Sequence, residues 1–91
     1  MAWFLVQTVY NREKFAEVRP RHREYLQKLS AEGTVAVAGP FADDSGGTIL
    51  VQAENTDALQ RILDADPYVA EGALESFTVR EFKPALGAWV Q

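Results

Sequence analysis

Thr34–Ala53, TVAVAGPFADDSGGTILVQA, is the stretch whose reading decides the fold. Thr34 to Ala38 and Thr48 to Ala53 are short, apolar and rich in β-branched residues, the composition of strands. Gly39-Pro40 stops the first run, and Phe41 to Gly47 (FADDSGG) reads as a loop in which Gly46-Gly47 permits a tight return. Two strands thus follow each other with no helix between them, and what flanks them sets the topology.

Upstream, Val18, His22, Tyr25, Leu26 and Leu29 recur at three- and four-residue steps, the spacing of one helical face. This helix runs to about Glu32 and ends at Gly33, which adopts a left-handed conformation cheaply. Pro20 is tolerated within a first turn, which places the start nearer Val18 than Phe15. Before it, Trp3 to Tyr10 (WFLVQTVY) is a first strand. Downstream, Thr56 is an N-cap candidate for a second helix with Leu59, Ile62, Leu63 and Asp66 on its stripe. That helix ends near Asp66-Pro67, Tyr68 to Gly72 is a turn or short helical stretch, and Glu75 to Phe82 is the last strand.

The order is βαββαβ. It predicts an α+β, ferredoxin-like sandwich: a four-stranded antiparallel sheet with two helices on one face. The 91 residues read as one domain, with a core over about residues 3–84 and a tail over 85–91. Strand one offers Trp3, Leu5 and Val9 to one side and Phe4, Val6 and Tyr10 to the other, so both sides are apolar. With the helices on one face, the other needs a cover, and a second copy of the chain is the simplest one. A homodimer with paired sheet faces is therefore expected, with Trp89 in the tail placed to clamp the partner.

Composition narrows the function. Nine Lys and Arg against thirteen Asp and Glu give a net charge of −4, which disfavours nucleic acid as a partner. Arg19, Arg21 and Arg23 are spread around a helix rather than gathered on one face. The strands also lack the basic-aromatic pattern of an RNA-binding sheet. One histidine and no cysteine leave no basis for a metal site, a disulfide or thiol chemistry, and no cofactor is called for. Haem on His22 would need a deeper apolar pocket than so small a subunit provides. No stretch approaches ~20 apolar residues, so no membrane segment is expected and the chain reads as soluble and cytoplasmic.

His22 and Asp66 stand out because both lie on stripes that should be oily. Either they satisfy each other as a structural pair, or they line a cavity where chemistry happens. Asp66, preceding a proline, also has a role as a turn cap. If the two converge, the carboxylate fixes the imidazole tautomer and leaves the other ring nitrogen free to take or give a proton. Arg19, one turn before His22, is then placed to pair with an anionic substrate group or to make a surface ion pair. Tyr68 can donate a hydrogen bond to a ligand oxygen or simply pack over the helix end. A Gly39-Pro40 turn can bring backbone N–H groups close to a ligand. Asp43, Asp44 and Ser45 read as a solvated loop tip, since two adjacent carboxylates are not a cation cage.

Arg19-x-x-His22-x-x-Tyr25-Leu26, Gly33, Ala38-Gly39-Pro40, Gly46-Gly47 and Asp66-Pro67-Tyr68 with Gly72 together resemble the YciI-like family over about residues 3–84. The resemblance implies membership of the dimeric α+β barrel group and a His–Asp active-site pair at His22 and Asp66. Within that resemblance, one relative looks like a dehydrochlorinase of a chlorinated hydroxyhydroquinone, and neighbouring families include muconolactone isomerases, cofactor-independent monooxygenases and haem-binding chlorite dismutases. Two functional classes follow. One is a cofactor-independent lyase or isomerase acting on a small molecule. The other is a non-catalytic ligand-binding or accessory domain.

Overall fold

Strand β1 (Ala2–Tyr10) leads into helix α1 (Phe15–Ala31) and the hairpin of β2 (Val35–Pro40) and β3 (Gly46–Ala53). Helix α2 (Thr56–Asp64), the one-turn helix α3 (Pro67–Ala70) and strand β4 (Leu74–Phe82) follow. The computed structural model describes residues 1–88 and 90, so the expectation placed on Trp89 lies outside the described residues. All strand pairings are antiparallel and the order is β2-β3-β1-β4, the ferredoxin-like α+β sheet expected from the sequence.

Register explains which side chains face the helices. Phe4 pairs with Val51 and Val6 with Ile49, and directly opposed residues share a face. These four, with Val35, Leu29, Leu59 and Leu63, form the main core. A second cluster of Tyr10, Val18, Tyr68 and Ala73 sits under the start of α1 and around α3. The opposite face carries Trp3, Leu5, Val9, Val37, Leu50 and Phe82 by the same register rule. Val9, Val37 and Phe82 are exposed there.

Several boundaries differ from the sequence reading for local reasons. Helix α1 starts at Phe15, so Pro20 lies past its first turn. The carbonyl of Ala16 loses its amide partner to the proline ring, but Ala16 is exposed and water can serve it. Strand β2 continues through Gly39 and Pro40, which pair with Thr48 and Gly47, so they form no turn. As β2 is an edge strand, the missing N–H of Pro40 costs the sheet no inner hydrogen bond. Asn55, not Thr56, caps α2, its side chain accepting from the Ala58 amide at 2.8 Å. Gly33, at φ +81°, ends α1 as expected.

Candidate active site

Helix α1 crosses from one core cluster to the other, with Val18 in the second and Leu29 in the first. His22 and Leu26 lie between these anchors, where the sheet offers, beside Ile49, mostly small groups beneath the helix: Thr8, Gly47, Ala38 and Pro40. Small groups cannot fill the layer, and a cavity of about 370 Å³ remains. Gly47 is needed for this: a Cβ there would lie 2.7 Å from the Gly39 carbonyl oxygen and 3.0 Å from the Tyr10 hydroxyl. His22, Asp66, Tyr68, Arg19 and Tyr10 line one end of the cavity. Exposed Arg23, Gln27, Ser30 and Pro40 rim it elsewhere and give it access to solvent.

Asp66 is 3% exposed and occupies the N-cap of α3, not the end of α2. The residue before Pro67 is forced to extended geometry, and its side chain folds back to accept from the Tyr68 amide at 2.9 Å. The same oxygen, Oδ1, lies 2.8 Å from His22 Nδ1. Capping and pairing are thus one arrangement. A carboxylate accepts only, so Nδ1 carries the proton and Nε2 is left as the second, unprotonated nitrogen of the neutral ring. The imidazole stacks on Tyr68, with centroids 3.7 Å apart and planes 11° apart. His22 is thereby held at one edge by Asp66 and on one face by Tyr68.

Arg19 extends along the adjoining wall. Its Nε–H donates to the Tyr68 hydroxyl at 3.2 Å and its Nη2 to Asp44 at 2.8 Å. Its guanidinium lies 5.6 Å from the Tyr10 ring centroid and 5.1 Å from that of Phe15. The Asp44 hydrogen bond first, then that of Tyr68, holds Arg19 even further above neutrality than usual. Because Tyr68 oxygen accepts from Arg19, its own proton is available for another acceptor. Asp44, at φ +60°, is more than part of a solvated tip: it reaches back to Arg19. Asp43 does act locally, accepting from the Ser45 amide and hydroxyl, which holds its carboxyl below the usual range.

Of the residues singled out from sequence, His22, Asp66, Arg19, Tyr68, Gly39 and Pro40 all line this one cavity. Pro40 brings no N–H, so the backbone-donor idea cannot rest on it. Thr8, Tyr10 and Asp44 were missed. The polar ends of the stripe Phe4-Val6-Thr8-Tyr10 were the available signal for the first two. Among the described residues no three His, Cys, Asp or Glu side chains gather as a metal site, and no helix is long and apolar enough to cross a membrane.

The profile of the YCII-related domain matches residues 2–83. The chain is 40% identical over 81 residues to Protein YciI of Escherichia coli, covering 78% of this chain and 83% of that one. In fold it is similar to 5-chloro-2-hydroxyhydroquinone dehydrochlorinase from Burkholderia phenoliruptrix in complex with 2,5-dihydroxybenzoquinone. That likeness has a TM-score of 0.72 at 20% identity, over 89% of this chain and 93% of the other. An antibiotic biosynthesis monooxygenase is similar with a TM-score of 0.61 at 16% identity, over 94% of this chain and 100% of the other.

Proposed function

The chain belongs to the YCII-related domain family, and from that premise we propose that it is a cofactor-independent lyase or isomerase in which His22 moves a proton on a small aromatic or enol–keto substrate. The observation that carries this reading is the Nδ1–Asp66 contact of 2.8 Å on an imidazole that lines a solvent-connected cavity. Asp66 holds Nδ1 protonated, and Nε2 takes a proton from a substrate carbon or hydroxyl acidified by a neighbouring carbonyl or phenol. The electron pair left behind becomes charge on a substrate oxygen, which the Tyr68 hydroxyl and Arg19 stabilise. Collapse of that enolate expels a leaving group such as chloride, or takes the proton back at another carbon. The first outcome is a lyase reaction, the second an isomerisation. The fold's likeness to a dehydrochlorinase supports the first.

The active form in this reading is a homodimer. Its support is the sheet face free of helices, where Val9, Val37 and Phe82 are exposed in the single chain.

The test is turnover on a panel of chlorinated hydroxyhydroquinones and enol lactones, followed as chloride release and as double-bond migration. His22→Ala should lower the rate about 10²–10⁴-fold with the fold retained. Unchanged turnover in His22→Ala, or none in the wild type on any member, contradicts the proposal. The second reading, a ligand-binding accessory domain, is favoured by Asp66 already serving α3 as its cap. It predicts binding without turnover.

A further inference from the structure

Tyr10 is 5% exposed and lines the cavity. Arg19 acts on its hydroxyl and can only donate, so the phenol's own proton is left for an acceptor in that space. A buried phenol normally gives its proton to a partner. Other Arg19 N–H groups go to Tyr68 and Asp44.

The chain holds Tyr10 in this position firmly. Its ring stacks on Phe15 at 4.6 Å and meets Tyr68 edge-on at 5.4 Å. The β1–β4 register shifts beside it, Val9 pairing with Ser76 and Tyr10 with Leu74, so Glu75 is the extra residue of a bulge. Bulges re-aim side chains next to functional sites. The bare backbone of Gly47 leaves room for the hydroxyl, since any Cβ there would crowd it.

We propose that the Tyr10 hydroxyl is a ligand-binding group that, with Tyr68 and Arg19, forms a subsite for the anionic oxygen of a phenolate or enolate. The two phenols converge on one guanidinium: Arg19 donates to the Tyr68 oxygen and lies over the Tyr10 ring. Donors and positive charge meet at one end of the cavity, and Asp44 takes only part of that charge. Burial first, then Tyr68, pushes the Tyr10 phenol up, against the pull of Arg19, so it stays protonated and able to donate. The inference rests on the proposed function only in that a small oxygen-bearing molecule enters this cavity. It does not require His22 to be catalytic.

Para-nitrophenol, ionised above neutrality and coloured in that form, is the probe, and para-nitroanisole, whose oxygen is methylated, is the control. Both are titrated into wild type, Tyr10→Phe, Arg19→Gln and His22→Ala. The wild type should bind the phenolate, and Tyr10→Phe should weaken it about tenfold or more while leaving para-nitroanisole unchanged. Tyr10→Phe keeps the ring stack on Phe15, and Arg19→Gln provides a second loss at the same subsite. His22→Ala should still bind the phenolate, even where it abolishes turnover. Equal phenolate binding by wild type and Tyr10→Phe, a parallel loss of both probes, or no binding to the wild type overturns the subsite. Turnover of the substrate panel, read separately, decides the role of His22.

Discussion

The His22 imidazole lies flat against the Tyr68 ring, 3.7 Å between centroids and 11° between planes, while the Tyr68 amide and the imidazole Nδ1 share one oxygen of Asp66. One carboxylate therefore fixes both the residue that stacks on the imidazole and the imidazole itself. The tight DPY sequence does this within three residues, because the proline sets the cap and the cap sets the tyrosine.

Separating the charge of Asp66 from its hydrogen bonding is the first prediction. Asp66→Asn keeps an oxygen at the Oδ1 position for both the Tyr68 amide and His22 Nδ1, but removes the negative charge that stabilises the imidazolium formed when Nε2 takes a proton. Turnover should fall about 10²-fold or more with little change in melting temperature. Asp66→Ala should lose the cap, about 1 kcal/mol, and strand the buried Nδ1–H, about 1–3 kcal/mol more. Urea unfolding of both variants beside the rate measurements checks this, and equal stability loss in the two contradicts it.

Tyr68 separates in the same manner. It is 2% exposed, so Tyr68→Ala should cost about 3–5 kcal/mol in chemical denaturation. Tyr68→Phe keeps the stack on His22 and should remain folded. It loses the hydroxyl that Arg19 polarises, so its turnover drops while its melting curve stays close to wild type.

Much of this arrangement was legible in the chain because it is periodic. The stripe Val18-His22-Tyr25-Leu26-Leu29 has a helix's own repeat, and the back-to-back strands of Thr34–Ala53 left few topologies open. Asp66 was correctly paired with His22 but by an imperfect route, since α2 stops at Asp64 and the cap of α3 supplies the carboxylate. Pro20 misplaced the helix start because tertiary packing of Phe15 and Val18 outweighs a local penalty. Tyr10, Thr8 and Asp44 were illegible as site residues for a different reason: they meet the others only through strand register and a loop that folds back. Thr8 exchanges hydrogen bonds with Gly47, 39 positions away, and Arg19 meets Asp44 across 25. No periodicity encodes such contacts.

Gly47→Ala tests the origin of the cavity. The added methyl would press on the Gly39 carbonyl and the Tyr10 hydroxyl. A loss of about 1–3 kcal/mol is expected in thermal or urea unfolding, together with weaker ligand binding. A neutral substitution on both measures would mean that the hairpin is free to move away.

Alkaline pH should weaken the fold. Burial, then the charges of Asp66 and Glu32, pushes the Tyr25 phenol above its usual 10.0, and burial does the same to Tyr10. Folding thus favours the protonated phenols. Their contribution is whole below the ordinary tyrosine value and is lost as pH rises through the elevated folded values. Urea midpoints should decline as pH climbs above about 10. Tyr25→Phe, which also gives up the hydrogen bond to the Ile62 carbonyl, should lower the neutral midpoint and flatten that decline. An unchanged alkaline slope in this variant contradicts the assignment.

His22 is the sole histidine, so nitrogen NMR of a histidine-labelled sample reports on this ring alone. The ring should carry a proton on Nδ1, held by Asp66, and its Nε2 signal should move when para-nitrophenol or a turned-over substrate is added. A proton on Nε2 instead, or a ring whose signals ignore a ligand seen to bind, contradicts the claim that this imidazole faces the substrate and handles its proton.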